Sequence, residues 1–361
     1  MVVIGSGVLA GYVWLVPTGS QSTIASLTPD TARGVLPKGS EVPARTVPPT
    51  RKPTYTGKCD ENSPYGFTTV NADATLIALY RQMGICWVRY QIHVKSMLSG
   101  GGIYWGTLDS VVALMNSAGI HLDVPIQCFQ GSCFKTPSIP TPAEMASFAS
   151  QIATRYNGQN GHGYIDSFEI GNEEYDQNRK FAIDDYGPIL KAGYQAIKAA
   201  SPHAQVGMYG TFPSNPFRTM AVLESIFEAG FGQYMDFMNF HYYNQGLDPR
   251  VDADSTHPSF DHKWQLMHTI ATRYGFASKP IWVTEIGWPL RPMDGRSAVT
   301  PDQQAQYLTY VTDQSANSGV IQKIFWYTID YGYQPNNIYP PSGPMPAFYA
   351  LKEYVRSKPV W

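Results

Sequence analysis

The sequence has little charge and almost no excess of either sign. Only 15% of its 361 residues are Asp, Glu, Lys or Arg, and the formal net charge is -2 at pH 7. Nucleic acids and anionic membrane surfaces bind to basic fields, so neither is expected as the main partner. With 43% hydrophobic residues, the chain can still bury one large core. We therefore expect a monomer with one large domain and a neutral or weakly charged ligand.

Cysteine is also scarce, with four residues in the whole chain. Metal sites built on cysteine use tighter, repeated spacings than these four residues have, so they predict no metal site. Cys128 and Cys133 are close enough in the chain to close a short loop, and we predict a disulfide between them. The spacing leaves open whether Cys59 pairs with Cys86. Disulfides would indicate an oxidising compartment.

The amino-terminal segment is apolar but short. Residues 1–16 carry no charge, and no Lys or Arg precedes Arg33. Membrane-spanning helices need about 20 apolar residues, so this run is expected to be a signal-peptide core or an amino-terminal membrane anchor. Residues 17–58 have the Pro/Ser/Thr-rich composition of a flexible linker, which leaves residues 59–361 for the folded domain. The expected location is secreted, or anchored at the extracellular face of a membrane.

From Tyr65 onward, short β-rich runs alternate with helical patterns. The predicted strands are Gly66–Val70, Ile85–Tyr90, His121–Gln127, Ile165–Ile170, Gln205–Tyr209, Phe237–His241, Ile281–Thr284 and Ile324–Ile329. Eight such repeats favour an α/β fold that closes as a (β/α)₈ TIM barrel, whose interior accepts strands such as FMNFH and FWYTI. An open, doubly wound sheet is the alternative.

Signals in the sequence mark both ends of the helices. Thr141 and Thr300 each precede a Pro, and Glu or Gln follows three residues after each Thr, which is the capping-box pattern. Glycines stand where helices should end before the next strand, namely at Gly84, Gly119, Gly158, Gly275 and Gly319. The second helix repeats apolar residues at helical spacing, at Leu108, Val111, Val112 and Met115. These signals support the strand and helix alternation.

Two carboxylates directly follow predicted strands. The fourth strand runs into GNEE, which contains Glu173, and the seventh runs into TEIGW, which contains Glu285. In a (β/α)₈ barrel, the active site lies at the carboxyl ends of the strands. A single Glu at such a place is usually a solvated loop residue. Two of them on facing strands, flanked by Asn, Gly and Trp, predict a paired-carboxylate site.

The segments FEIGNEE and WVTEIGWP resemble the acid/base and nucleophile motifs of glycoside hydrolase clan A. The resemblance covers roughly residues 65 to 355 and is closest to families 39 and 5, while EIGWP is also similar to the nucleophile segment of families 17 and 53. It implies a retaining β-glycoside hydrolase that cleaves β-linked polysaccharide or oligosaccharide without a cofactor. Glu173 would be the acid/base, Glu285 the nucleophile, and Asn172 would bind the 2-hydroxyl of the sugar. The two carboxyl groups are expected about 5 to 5.5 Å apart.

The same resemblance implies roles for the residues around the pair. Arg89 is similar to the second-strand arginine that keeps the nucleophile ionised through its permanent charge. Alternation puts His241 and Tyr243 on one face of their strand, similar to the H-x-Y of strand six, so Tyr243 is expected to bond the nucleophile. Trp326 resembles the strand-eight tryptophan that lies under the sugar. Trp288, within the nucleophile motif, is also expected to contact substrate.

Three other functions fit parts of this pattern. A transglycosylase would use the same two carboxylates and differ only in the acceptor. A non-catalytic carbohydrate-binding barrel would keep the aromatic residues, 13% of the chain, which suit stacking on sugar rings, but it would not need both carboxylates. A metal-dependent hydrolase would need a cluster of ligands at the strand ends, which the sequence does not indicate, so His241 is not expected to bind a metal.

Overall fold

Strands and helices alternate along the chain in the computed structural model, and the parallel barrel confirms the predicted (β/α)₈ fold. The structure describes residues 59–99, 102–127, 140–173, 183–210, 216–293, 295–329 and 334–361. Within these ranges, the barrel strands are β1 (Tyr65–Thr69), β2 (Trp87–Tyr90), β3 (His121–Gln127), β4 (Ser167–Ile170), β5 (Gln205–Gly207), β6 (Met238–Tyr242), β7 (Ile281–Ile286) and β8 (Ile321–Trp326).

The helices that follow these strands cover the outside of the barrel. They are α1 (Ala74–Met83), α2 (Gly106–Ala118), α3 (Pro142–Arg155), α4 (Ile183–Ala200), α5 (Pro216–Glu228), α6 (Phe260–Arg273), α7 (Pro301–Ser318) and α8 (Pro346–Ser357). Shorter elements are the strands Ile92–His93, Leu98–Ser99 and Gly102–Ile103, the helix Val94–Met97 and the 3₁₀ turn Phe231–Tyr234.

The strands pair in parallel around the barrel in the order β5-β4-β3-β2-β1-β8-β7-β6. A single parallel bridge between Gly207 and Phe237 connects the two outermost strands, β5 and β6. The sheet therefore closes on itself. Closure gives the strands a shared interior, and polar side chains at their carboxyl ends converge there.

Most of the predicted helix ends are confirmed, but Gly158 does not end α3, which ends at Arg155 with Tyr156 as its C-cap. Thr141 and Thr300 both cap their helices through complete capping boxes, in which the N-cap hydroxyl and the third helical residue satisfy each other's backbone donors. Gly84, Gly119 and Gly319 stand at the carboxyl ends of α1, α2 and α7 with φ values of 78°, 75° and 68°. Glycine adopts this left-handed conformation without steric cost, which explains why it ends these helices.

The observed strand β3 has the predicted ends, the ends of the other strands differ from the predicted ones by up to three residues, and β8 differs most. This strand begins at Ile321 instead of Ile324. It contains Lys323, which is only 2% exposed. The Nζ atom of Lys323 lies 4.0 Å from the ring centroid of Trp87 and donates to the carbonyl of Glu61. A charged residue within a strand looks like a loop signal in the sequence, because these tertiary partners are not visible there.

Aromatic rings fill the amino-terminal end of the barrel. Trp87, Phe237, Trp282 and Phe325 form a buried cluster that we call the aromatic plug. Phe237 stacks on Trp282 with ring centroids 3.8 Å apart, and Trp87 meets Trp282 edge-on at 5.5 Å. Because the plug occupies this end, the polar interior lies at the opposite, carboxyl end of the strands.

A disulfide links Cys59 to Cys86 beside the aromatic plug, with the two Cα atoms 5.2 Å apart. The sequence left this pairing open. The predicted bridge between Cys128 and Cys133 lies outside the described residues, as do the predicted amino-terminal anchor and linker, residues 1–58. In the part of the chain that the structure describes, no helix is both long and apolar enough to cross a membrane.

Candidate active site

Residues predicted from the sequence converge at the carboxyl ends of four strands. They are Arg89 in β2, Asn172 and Glu173 after β4, His241 and Tyr243 at the end of β6, and Glu285 in β7. All are buried except Glu173, which is partly exposed. The fold therefore brings together side chains that are separated by up to about two hundred residues in the chain, as expected for a barrel site.

Strand β7 contains one extra residue just before the predicted nucleophile. Val283 pairs with Phe240 of β6, whereas Glu285 pairs with the very next residue of β6, His241. The pairing of β7 with β8 shifts at the same place. Two residues of β7 therefore stand opposite one step of β6, which is a β-bulge. The bulge turns the Glu285 side chain into the barrel interior.

Three donors face the Glu285 carboxyl group. Arg89 donates from Nη1 to Oε1 at 2.7 Å, and Gln91 donates from Nε2 to the same oxygen at 2.7 Å. Tyr243 donates its hydroxyl to Oε2 at 2.8 Å, as the sequence predicts. Glu285 is only 5% exposed. A buried carboxyl group that accepts three hydrogen bonds, one of them from a guanidinium, is stabilised as the carboxylate.

Glu173 lies in a different environment. Burial raises the pKa of its carboxyl group to about 7, while the positive charges of Arg296, Arg89 and Lys263 act in the opposite direction. Its Oε1 atom lies 2.6 Å from Nδ1 of His241. Burial also lowers the pKa of His241 to about 4, so this imidazole is neutral at pH 7. Glu173 can therefore hold a proton near neutral pH.

Arg89 connects the two sides of the site. Its Nε and Nη2 atoms form a bidentate pair with Glu169, at 2.6 and 2.9 Å. Nη2 also donates to Oδ1 of Asn172 at 2.7 Å, and Nη1 points at Glu285. Burial raises the pKa of Glu169 to about 8, although the charge of Arg89 opposes this rise. These bonds fix the orientation of the planar guanidinium, which directs one N–H at Glu285.

The two catalytic candidates are close to each other. Glu173, His241 and Glu285 each offer one ligand atom, and these atoms lie within 4.8 Å of one another. Such a set has the composition of a metal site, contrary to the expectation that no ligands cluster at the strand ends. The Arg89 guanidinium, however, is 2.7 Å from Oε1 of Glu285 and would repel a cation. The donors around Glu285 suit an anionic nucleophile better than a metal ligand.

Both predicted substrate-binding tryptophans are buried. Trp326 is 2% exposed and Trp288 is 1% exposed, and both belong to the main apolar core. The indole N–H of Trp288 donates to Oδ1 of Asn244 at 3.0 Å. Tyr327, the residue after Trp326, is partly exposed, and its ring lies 6.4 Å from that of Tyr243. The geometry therefore favours Tyr327 over Trp326 as the strand-eight aromatic residue that faces the site.

Four residues at the site did not stand out in the sequence, namely Gln91, Glu169, Arg296 and Tyr327. Gln91 could have been found, because it lies two residues after Arg89 and period-two alternation puts both on one face. Glu169 could have been found as a charged residue inside the apolar strand SFEI. No local signal marks Arg296, because a loop contact brings it to the site.

Known proteins share parts of this architecture. The family model of the glycosyl hydrolase catalytic core matches residues 195–341. A family 39 glycoside hydrolase from Bacteroides cellulosilyticus WH2 aligns with a TM-score of 0.63 and 17% identity, over 80% of this chain and 62% of that chain. The chain thus spans less than two thirds of that protein. No curated protein matches the sequence.

Two further solved structures align with this chain over almost their whole length. Cel5A from Thermotoga maritima, in complex with mannotriose, aligns with a TM-score of 0.56 and 12% identity, over 80% of this chain and 97% of that chain. An endo-β-1,3-glucanase of family 128 from Amycolatopsis mediterranei, in complex with laminaritriose, aligns with a TM-score of 0.52 and 14% identity, over 81% and 99% of the two chains. These matches support the resemblance to clan A glycoside hydrolases with a TIM-barrel fold.

Proposed function

We propose that the protein is a retaining β-glycoside hydrolase in which Glu285 is the nucleophile and Glu173 the acid/base. One observation carries this proposal: carboxyl oxygens of the two residues lie within 4.8 Å of each other in opposite environments. Inverting enzymes separate their carboxyl groups by about 6.5 Å or more to admit a water molecule, whereas retaining enzymes hold them closer. Three donors face the Glu285 carboxyl group, an arrangement that suits an anion, and burial raises the pKa of Glu173 to about 7.

In the first step, an oxygen of Glu285 attacks the anomeric carbon and the bond from that carbon to the leaving oxygen breaks. Glu173 gives its proton to the leaving oxygen and becomes a carboxylate. Because an electron pair of Glu285 becomes the new bond to the anomeric carbon, Glu285 loses its negative charge and requires less stabilisation from Arg89 and Tyr243, whose donors hold its position. The product of this step is a covalent glycosyl-enzyme.

In the second step, Glu173 acts as a base. It takes a proton from a water molecule, whose oxygen attacks the anomeric carbon and releases Glu285 as a carboxylate. The two displacements restore the original configuration of the sugar. Nδ1 of His241 remains within 2.6 Å of Glu173 and, because this imidazole is neutral, it adds no charge that would hold Glu173 in its ionised form.

We propose β-linked polysaccharide or oligosaccharide as the substrate class. The endo-β-1,3-glucanase with a similar barrel supports a β-linkage by analogy of fold. We also propose that the protein works outside the cell, secreted or anchored through residues 1–16. The disulfide between Cys59 and Cys86 supports an oxidising compartment. Transglycosylation with a sugar acceptor remains the second candidate, because the same carboxylate pair serves both reactions.

Azide rescue tests the assignment in the full-length protein. Glu285→Ala should abolish turnover of every aryl β-glycoside, and azide should then yield a glycosyl azide of inverted configuration. Glu173→Ala should still form the glycosyl-enzyme from a 2,4-dinitrophenyl glycoside, and azide should yield a product of retained configuration. The control is Glu353→Ala, whose side chain lies exposed on α8 and should behave as wild type.

Nuclear magnetic resonance of the first-formed sugar checks the stereochemistry. An inverted product from the wild-type protein would contradict the proposal. So would full activity of Glu285→Ala in a folded protein. Products longer than the substrate, formed in preference to hydrolysis at low substrate concentration, would instead favour the transglycosylase.

A further inference from the structure

Arg296 lies beside the catalytic pair on the loop that follows β7. Its guanidinium carbon is 4.3 Å from the ring centroid of Tyr243. The hydroxyl of that same tyrosine donates to Glu285 at 2.8 Å. Arg296 is partly exposed, and its charge is the largest favourable one acting on the carboxylate form of Glu173. A cation is therefore stacked on the tyrosine that contacts the nucleophile, at the side of the site that solvent reaches.

The backbone that carries Arg296 is fixed. Arg296 and Met293 exchange two backbone hydrogen bonds, at 2.7 and 3.2 Å. The next residue, Ser297, donates its N–H to the carbonyl of Gln245 at 3.0 Å, which ties this loop to the loop after β6. Gly246 packs so closely on Ser297 that a Cβ atom would collide with its carbonyl oxygen. The guanidinium is thus presented by two loops that hold each other in place.

The other two cations near Glu173, Arg89 and Lys263, already have partners within the protein. Arg89 is fully buried and paired with Glu169 and Glu285. Lys263 is 1% exposed, and its Nζ donates to the carbonyl of His241 at 2.9 Å. The guanidinium of Arg296, in contrast, has no hydrogen-bond acceptor and no carboxylate within ion-pair distance among the described residues. Its five donors are therefore available to a ligand.

We propose that Arg296 binds a negatively charged substituent, in particular the carboxylate of a uronic acid, on the sugar that occupies the cleavage site. This inference rests on the proposed function and adds a substrate class to it. A guanidinium that stacks through its face keeps its edge free, and that edge offers two parallel N–H groups that match a carboxylate. In a protein of nearly neutral net charge, Arg296 thus places an unpaired positive charge beside the catalytic pair, where a charge on the substrate would be recognised.

A purely electrostatic role in catalysis is the competing explanation. Without the positive charge of Arg296, the pKa of Glu173 would rise further, so any substitution shifts the pH profile. This shift applies equally to neutral and charged substrates at their own optimal pH. The ratio of kcat/KM between a charged and a neutral substrate therefore separates recognition of the substrate from tuning of Glu173.

The test compares aryl β-glucuronide with aryl β-glucoside in the full-length protein, each at its optimal pH. For Arg296→Met, the glucuronide-to-glucoside ratio of kcat/KM should fall about 10- to 100-fold, the loss expected for a charge-assisted pair. For Arg296→Lys, this ratio should fall less, because the ammonium group keeps the positive charge but not the two parallel N–H groups of the guanidinium. The matched control is Arg250→Met, since Arg250 also stacks on a tyrosine, at 5.6 Å from Tyr307, but is paired with Asp248. A third substrate, the 6-sulfated glucoside, distinguishes a carboxylate from a sulfate.

An unchanged ratio in Arg296→Met would overturn the inference, and so would a preference of the wild type for the neutral glucoside. Binding provides a second measurement that does not depend on turnover. Calorimetry with aryl thio-β-glucuronide and thio-β-glucoside on Glu173→Gln should show a preference for the glucuronide that disappears when Arg296→Met is added. If this preference is found in a protein that cleaves no glycoside, the inference holds and the proposed function fails. Equal binding of the two thioglycosides overturns the inference alone.

Discussion

Nδ1 of His241 lies 2.6 Å from Oε1 of Glu173, and burial shifts the pKa values of these two groups toward their neutral forms, to about 4 and about 7. A protonated imidazole at this distance would favour the carboxylate form of Glu173 and deprive the site of its acid. Because His241 stays neutral, Glu173 can keep its proton near pH 7. The pair explains how one barrel can hold an acid and an anion a few ångströms apart.

The first prediction concerns pH. For a glycoside with a poor leaving group, kcat/KM should fall about tenfold per pH unit above pH 7, because deprotonation of Glu173 removes the acid. A 2,4-dinitrophenyl glycoside needs no proton on its leaving group, so its kcat/KM should stay level over the same range. Steady-state rates between pH 5 and pH 9 check both curves. Identical curves for the two substrates would show that Glu173 is not the acid.

The second prediction concerns Gly210, which lies buried after β5. A Cβ atom at this position would collide with Nε2 of His241. Gly210→Ala should therefore displace the imidazole, lower kcat/KM about tenfold or more and shift the alkaline limb of the pH profile. The control is Gly102→Ala, because nothing lies within 4 Å of a Cβ atom at Gly102. A folded Gly210→Ala protein with an unchanged pH profile would refute the positioning role.

The third prediction concerns stability. Arg89→Met would leave the buried carboxyl groups of Glu169 and Glu285 without their cation, so the free energy of unfolding should fall by about 3–5 kcal/mol. Arg155→Met removes a pair with Asp109 that is partly open to solvent, and it should cost about 1 kcal/mol or less. Urea unfolding measures both. Similar losses for the two variants would mean that burial of the Arg89 network does not matter.

The fourth prediction concerns the disulfide between Cys59 and Cys86. The two residues are 27 positions apart, so replacing both by Ser should lower the free energy of unfolding by about 3–4 kcal/mol through the entropy of the unfolded chain. The bridge lies at the aromatic-plug end of the barrel, opposite the site. Activity per folded molecule should therefore match the wild type. A lower kcat/KM at a temperature where the variant is fully folded would contradict this separation.

The sequence predicts the fold well because its signals are local. Capping boxes at Thr141 and Thr300 depend on neighbouring residues and are confirmed, as are the glycines at the ends of α1, α2 and α7, whereas Gly158 does not end α3. The start of β8 is the largest error. This error arises because the strand contains Lys323, whose burial is stabilised by Trp87 and by backbone carbonyls that are distant in the chain.

The residues of the site also fall into those with local sequence signals and those that depend on contacts distant in the chain. Glu173 and Glu285 are visible in the sequence because each ends a strand within a recognisable motif. The sequence does not distinguish Trp326 from Tyr327, because FWY consists of three aromatic residues and alternation alone does not tell which face is inside. Phe325 belongs to the aromatic plug, so Tyr327 shares its inward face and Trp326 points to the opposite side. Arg296 depends on contact between two loops, which no local pattern encodes.

The bulge in β7 makes the direction of the Glu285 side chain depend on how this strand pairs with β6. Strict alternation from Trp282 would turn Thr284 inward and Glu285 outward, into the layer between barrel and helices. The one extra residue shifts this alternation by one position. Glu285 therefore pairs with His241 and, like His241, faces the barrel interior. If β7 kept all its residues but paired regularly, every candidate catalytic side chain would remain in the sequence, yet Glu285 would face away from the barrel interior. Loss of the extra residue, Thr284, would instead place Glu285 directly after Val283, where it would face inward. The site thus depends on the backbone pairing of one strand as well as on the identities of its side chains.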